Sequence, residues 1–207
     1  MLYDNAQLVS VYSKAYLQDK NELYETIVKE TLTFINDELS ADNGAYYSSL
    51  DADSKNKNKE LEEGVFYSWT KEELRTLIQD YELFADYYNI NTSGFWEKDL
   101  YVLIRNRSNT EFAKKHNLTK KELKENIRSW KTTLLATRNK RNKPNLDDKI
   151  LTSWNALMLQ GYLDAYKAFG NQIYLKKAVR IGEFILNNQL REDGGLNRNF
   201  KNGKSTI

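Results

Sequence analysis

The sequence predicts a mainly α protein built of helical hairpins, and three observations carry that prediction. One proline and nine glycines in 207 residues leave few helix breakers. Four long segments space their apolar residues at i, i+3, i+4 and i+7. One pair of helices also recurs 150 residues further along the chain. The 40% apolar content is enough for a core, and 29% charged residues with a net charge of only +2 argue against a disordered polyelectrolyte or a nucleic-acid wrapper. The chain has no cysteine, which removes disulfides, thiolate metal sites, iron–sulfur ligation and C-x-x-C redox centres. No cofactor and no metal are expected.

Taken in order, residues 4 to 17 place Ala6, Leu8, Val9, Val11, Tyr12, Ala15, Tyr16 and Leu17 nearly all round a helical wheel, predicting a helix covered on most sides. Residues 21 to 39 carry Leu23, Ile27, Val28, Leu32, Ile35 and Leu39 on one face, a helix with one wet side. This first hairpin spans 1–43. An insertion follows over 44–147. It opens with two β-prone runs, Tyr46-Tyr47-Ser48 and Val65 to Trp69, joined by a polar loop carrying Lys55, Lys57 and Lys59, which reads as a loose β-hairpin with an exposed tip. Thr70 with Glu73 and Thr119 with Glu122 form capping boxes, the second opening a helix that runs to about Arg141. Tyr101 to Ile104 reads as a further short strand. A second helical hairpin spans 148–193, and 194–207 reads as a β-hairpin cut short at Ile207. The whole is one partial domain.

Sliding the chain by 150 residues aligns 5–44 with 155–194 without a gap and matches ten residues. They include Asn5/Asn155, Tyr12/Tyr162, Asn21/Asn171, Phe34/Phe184 and Gly44/Gly194. The turn asparagine and the glycine keep register, the glycine being expected as the left-handed residue just past the helix. In each copy the first helix is apolar nearly all round and the second is striped. That is the pattern of inner and outer helices in a two-layered α/α toroid.

Several polar residues are candidates for a site. Asp4 and Asn5 in one copy, and Ser153, Trp154 and Asn155 in the other, open the inner helices, whose free N–H groups favour hydroxyl or anionic ligands. N-capping by Asp4 and Ser153 is the alternative. Asp51 and Asp53, at i and i+2, suit a general acid/base pair, a carbohydrate contact or Asx turns. With Glu62 they also match positions one, three and twelve of a calcium loop, but Lys55 and Asn56 break that pattern. Asp147 and Asp148 precede the second inner helix, so these four carboxylates are the catalytic candidates. Trp69 and Trp154 could stack on a sugar at the same rim. His116, the sole histidine, follows Lys114 and Lys115 at the end of a short helix and reads as an exposed group offsetting the dipole. The tract Arg138 to Lys143 reads the same way, so no nucleic-acid partner is expected. No apolar run reaches the ~18 residues of a membrane span. Asp4, Asn5 and Gln7 also interrupt the place of a signal peptide, so no membrane partner is expected and the address is cytoplasmic.

Four motifs also carry a family resemblance: residues 1–8 (MLYDNAQL), 44–54 (GAYYSSLDADS), 62–70 (EEGVFYSWT) and 146–158 (LDDKILTSWNALM). In these the chain resembles, over essentially its whole length, the thioredoxin-domain-containing proteins related to the mammalian spermatogenesis-associated protein. Ala45 and Ala156 stand where that family usually has glycine. The resemblance implies an (α/α)6 toroid of the six-hairpin glycosidase and N-acylglucosamine 2-epimerase type, accompanied in the full protein by a thioredoxin-like domain. The residues themselves, rather than the resemblance, point to a carbohydrate ligand held by Tyr3, Asp4, Asn5, Trp69, Trp154 and Asn155, and to hydrolysis or isomerisation by the four carboxylates. The paired-histidine mechanism of the epimerases needs more histidines than this chain has. The rival expectation is a non-catalytic interaction scaffold.

Overall fold

The computed structural model describes residues 1–56 and 58–206; Lys57 and Ile207, expected at a loop tip and a hairpin end, lie outside the described residues. Eight helices and nine short strands occur among the described residues, and the fold is mainly α. None of these helices is long and apolar enough to cross a membrane. The chain divides into two compact units, residues 1–51 with 146–207, and residues 52–145.

The first unit holds both helical hairpins. Helices α1 (Leu2–Gln18) and α2 (Glu22–Glu38) form one, and α7 (Thr152–Phe169) and α8 (Gln172–Asn188) the other. Asn21 and Asn171 cap α2 and α8 by accepting from the N–H of Leu23 and Ile173, each at 3.0 Å. Helix α1 lies along α7, and each first helix packs on its own second helix, so the core gathers Val9, Leu32, Ile35, Met158, Tyr162 and Ile181 between them. Gly161 permits the close approach, because a Cβ there would stand 2.9 Å from the Ala6 carbonyl oxygen.

The repeat extends to individual hydrogen bonds. Leu2 N–H donates to the Ser48 carbonyl at 2.8 Å, and Thr152 N–H to that of Arg198 at 3.0 Å. Tyr47 donates to Leu39, and Asn197 to Gln189, both at 2.8 Å. Strand β1 (Ser49–Leu50) pairs antiparallel with β6 (Leu146–Asp147), while β8 (Asn199–Lys201) pairs with β9 (Lys204–Thr206) and with β7 (Ile150–Leu151). Ser48 N–H bonds to Asp147, as Arg198 N–H does to Thr206, so β6 occupies in the first copy the place of β9 in the second. In the second copy that hairpin closes through Asn202 and Gly203, both at positive φ. In the first copy the same turn is replaced by residues 52–144. The inserted unit is therefore a turn expansion of one repeat.

Three local expectations are corrected. Helices α1 and α7 begin at Leu2 and Thr152, and neither has a side-chain cap, so Asp4 and Ser153 sit inside the first turn rather than capping it. Gly44 and Gly194, at φ +90° and +80°, lie five residues past the caps Leu39 and Gln189 and close the following loops instead of ending the helices. Helix α1 is not covered on most sides: Leu8 and Val11 are 43% and 55% exposed, although their counterparts Met158 and Gly161 are buried. Gly161 faces Ala6 and Val9 of α1.

In the second unit, β2 (Asp53–Lys55) and β3 (Leu61–Glu63) form the hairpin, around the polar loop itself. The two β-prone runs do not pair with each other. Gly64, at φ +67°, accepts from Tyr67 and Ser68 and turns residues 64–68, after which β4 (Trp69–Thr70) pairs with β5 (Leu100–Tyr101). The expected strand over 101–104 is thus confined to its start. Helices α3 (Lys71–Leu77), α4 (Tyr81–Tyr87), α5 (Asn109–Lys115) and α6 (Lys120–Arg138) enclose a core of Trp69, Leu74, Phe84, Tyr87, Phe112 and Trp130. The capping boxes at Thr70 and Thr119 are present, and Ser108 with Glu111 makes a third for α5.

Candidate functional site

The first turns of α1 and α7 lie beside one another, and the half-buried rings of Tyr3 and Trp154 meet there with centroids 4.8 Å apart. Asp4 stands next in the same turn, 3.5 Å from the chain's amino group, and its negative charge pushes the Tyr3 phenol upward from its ordinary value. Asn5 donates to the Met1 carbonyl at 2.7 Å. Asn155 makes the equivalent bond to Leu151 at 3.0 Å. It also clips the neighbouring loop, accepting from Tyr46 N–H at 2.8 Å and donating to the Tyr46 carbonyl at 2.9 Å. Asn155 is fully buried, and its amide is spent on backbone. Asn5 is half-buried and clips no such loop among the described residues, so the two repeat asparagines share a place but not an environment.

The carboxylates differ in the same way. Asp51 is exposed just after β1. Asp147 lies in β6 opposite Ser49, with Lys149 at 3.1 Å. Burial raises the Asp147 pKa, but the bonds from Lys149 and Ser48 outweigh it and hold the carboxyl below its ordinary range. Asp148 pairs with Lys201 at 2.6 Å. These three and the Tyr3–Trp154 pair belong to the first unit.

Asp53 and Trp69 belong to the second unit. Asp53 is exposed in β2, opposite Glu63. Glu62 is tied to Lys98 at 2.9 Å and to the Asn56 amide at 3.1 Å; the Lys98 bond lowers its pKa. No group of three or more His, Asp or Glu side chains that could hold a metal occurs among the described residues. Trp69 is buried, with the Arg141 guanidinium 4.0 Å from its ring centre.

The basic tract and the histidine depart from their expected settings. Arg141 lies past the end of α6 and turns inward, donating to the carbonyls of Val65, Phe66 and Ser68 at 3.0, 3.1 and 2.6 Å and to Glu73 at 3.2 Å. It thereby holds the turn that carries Trp69. Burial draws its pKa down. Arg138, in the last turn of α6, lies over the rings of Phe66 and Tyr67. His116 is half-buried rather than exposed, stacked on Phe112 with Nε2 2.7 Å from Asp86 Oδ2. Sequence spacing does not join residue 141 to residues 65–73; the contact exists only through the packing of the unit.

No family model matches the chain. It is 30% identical to an uncharacterised protein, B0495.5, of Caenorhabditis elegans, over 96% of this chain and 30% of that protein. It is 29% identical to spermatogenesis-associated protein 20 of Mus musculus and of Homo sapiens, over 89% of this chain and 26% of each. The chain thus spans less than a third of the length of these relatives. Among solved structures it is similar to cellobiose 2-epimerase from Spirochaeta thermophila, with 16% identity, TM-score 0.30, all of this chain and 63% of that one covered. A D-mannose isomerase gives 16% identity and TM-score 0.31, covering all of this chain and 46% of the other.

Proposed function

We propose that the chain is a segment of an (α/α)6 toroid whose inner-helix ends present a carbohydrate-binding rim, within a longer cytoplasmic protein that also carries a thioredoxin-like domain. The observation that carries this reading is the Tyr3–Trp154 pair, two half-buried rings at equivalent first turns of adjacent helices with Asp4 beside them. Sugars are held by C–H faces on aromatic rings together with acceptors for their hydroxyls. Asp4, Asp51, Asp147 and Asp148 are such acceptors on this unit. A general acid needs a raised pKa, and the lowered value of Asp147 suits an ionised hydroxyl acceptor instead, so binding is the role assigned to Asp147. Asn155 acts as a positioning residue that pins the Tyr46 loop to α7. Trp69, covered by Arg141, and Asp53, in the other unit, are left out of the rim.

The ion pairs of Asp147 with Lys149 and Asp148 with Lys201 favour the rival reading, a protein-interaction scaffold that binds no sugar. Calorimetric titration of the chain with monosaccharides and short oligosaccharides separates the two. The rim reading expects binding that weakens by about tenfold, ~1.4 kcal/mol, in Tyr3→Ala and in Trp154→Ala, with the far-UV circular dichroism unchanged. Absence of heat with every sugar supports the scaffold.

A further inference from the structure

The inserted unit contains a cavity of about 550 Å³ that the proposed sugar rim does not include. Its walls include the apolar side chains of Val65, Phe66 and Leu100, and a smaller cleft of about 240 Å³ adjoins it. Ligand cavities run from roughly 300 to 1,000 Å³, with mostly apolar walls and a few polar groups that fix orientation. Here the polar groups are unbalanced in charge. Arg141 and Glu73 both face the cavity and pair at 3.2 Å, leaving Lys55 and Lys140 as its net charge. Both lysines are exposed, and neither has a carboxylate partner among the described residues. Ser54 borders both spaces, is only 2% exposed, and its hydroxyl has no hydrogen-bond partner among the described residues. A buried hydroxyl in that state is costly unless something in the cavity bonds to it.

We propose that this cavity binds a small organic anion with an apolar body, its charged group at Lys55 and Lys140, a polar atom on Ser54 and its body against Val65, Phe66 and Leu100. A bare inorganic anion would leave the apolar wall wet, and a neutral compound would leave the two ammonium groups without a counter-charge. Carboxylates and phosphate esters share this chemistry. The site lies within residues 52–145 and stands or falls separately from the sugar rim.

Calorimetric titration of the whole chain with phenyl phosphate, benzoate, inorganic phosphate and benzyl alcohol tests it. Phenyl phosphate, benzoate or both are expected to bind at least about tenfold more tightly than inorganic phosphate and benzyl alcohol, and the preferred one tells phosphate ester from carboxylate. The double variant Lys55→Ala/Lys140→Ala is expected to lose about tenfold in affinity with an unchanged melting temperature, and Lys55→Arg/Lys140→Arg to retain it, since both lysines are exposed. Ser54→Ala should bind more weakly while melting no lower than the parent. Equal binding of benzyl alcohol and the anions, undiminished binding in the lysine-to-alanine double variant, or no binding of either organic anion overturns the proposal.

Discussion

Gln189 is fully buried, and neither atom of its amide finds a partner among the described residues, although Leu39 occupies the same place in the first repeat at 1% exposure. An unpaired buried amide is costly, and the fold already accepts leucine at the equivalent site. Gln189→Leu is therefore expected to raise stability by about 1–2 kcal/mol, measured by urea unfolding; a loss of stability would show that the amide has a function in the fold. The residue scale is also where sequence reasoning is least informative. The matched asparagines at 5 and 155 read as one feature, yet among the described residues Asn155 clips a repeat loop and Asn5 does not. Arg141 sits in a lysine- and asparagine-rich tract that looks solvated. What distinguishes it is Trp69 and three carbonyls roughly seventy residues earlier, a meeting that no spacing rule encodes.

Elements bounded by local chemistry are legible, and those bounded by distant partners are not. Each capping box is a bond between residues three apart, so Thr70 and Thr119 announce their helices. The strands depend on what returns to pair with them: Ser49 and Leu50 wait for Leu146 and Asp147, and Trp69 waits for Tyr101. Between α4 and α5, Asp86 gathers Lys115, His116 and Arg107 at 2.6, 2.7 and 3.2 Å. Burial raises the Asp86 pKa, but those three bonds outweigh it and hold the carboxyl well below the ordinary range. A depressed folded-state pKa gives stability that is complete above the unfolded value, near pH ~4, and is lost as the pH falls below it. Asp86→Asn is expected to cost about 1–3 kcal/mol at neutral pH and to flatten the acid limb of the stability profile below pH ~4. Urea unfolding at a series of pH values checks this; an unchanged acid limb would show that Asp86 is not a principal source of it.

At the scale of the molecule, the 150-residue self-match exposes the architecture, because equivalent helices must keep equivalent apolar faces and turn residues. The match cannot show where the excess chain enters. The entry point rests on two ladder bonds, Ser48 to Asp147 and Arg198 to Thr206, which put β6 and β9 in the same role and make residues 52–144 an expanded hairpin turn. If so, the hairpin unit does not need the insertion in order to fold. The most direct test replaces residues 52–144 by Asn-Gly, the pair that closes the equivalent turn at 202 and 203, and follows thermal unfolding by far-UV circular dichroism. One cooperative transition from a strongly helical state is the expected result. A shortened chain that melts without cooperativity, or that loses its helices, contradicts the repeat-with-insertion account.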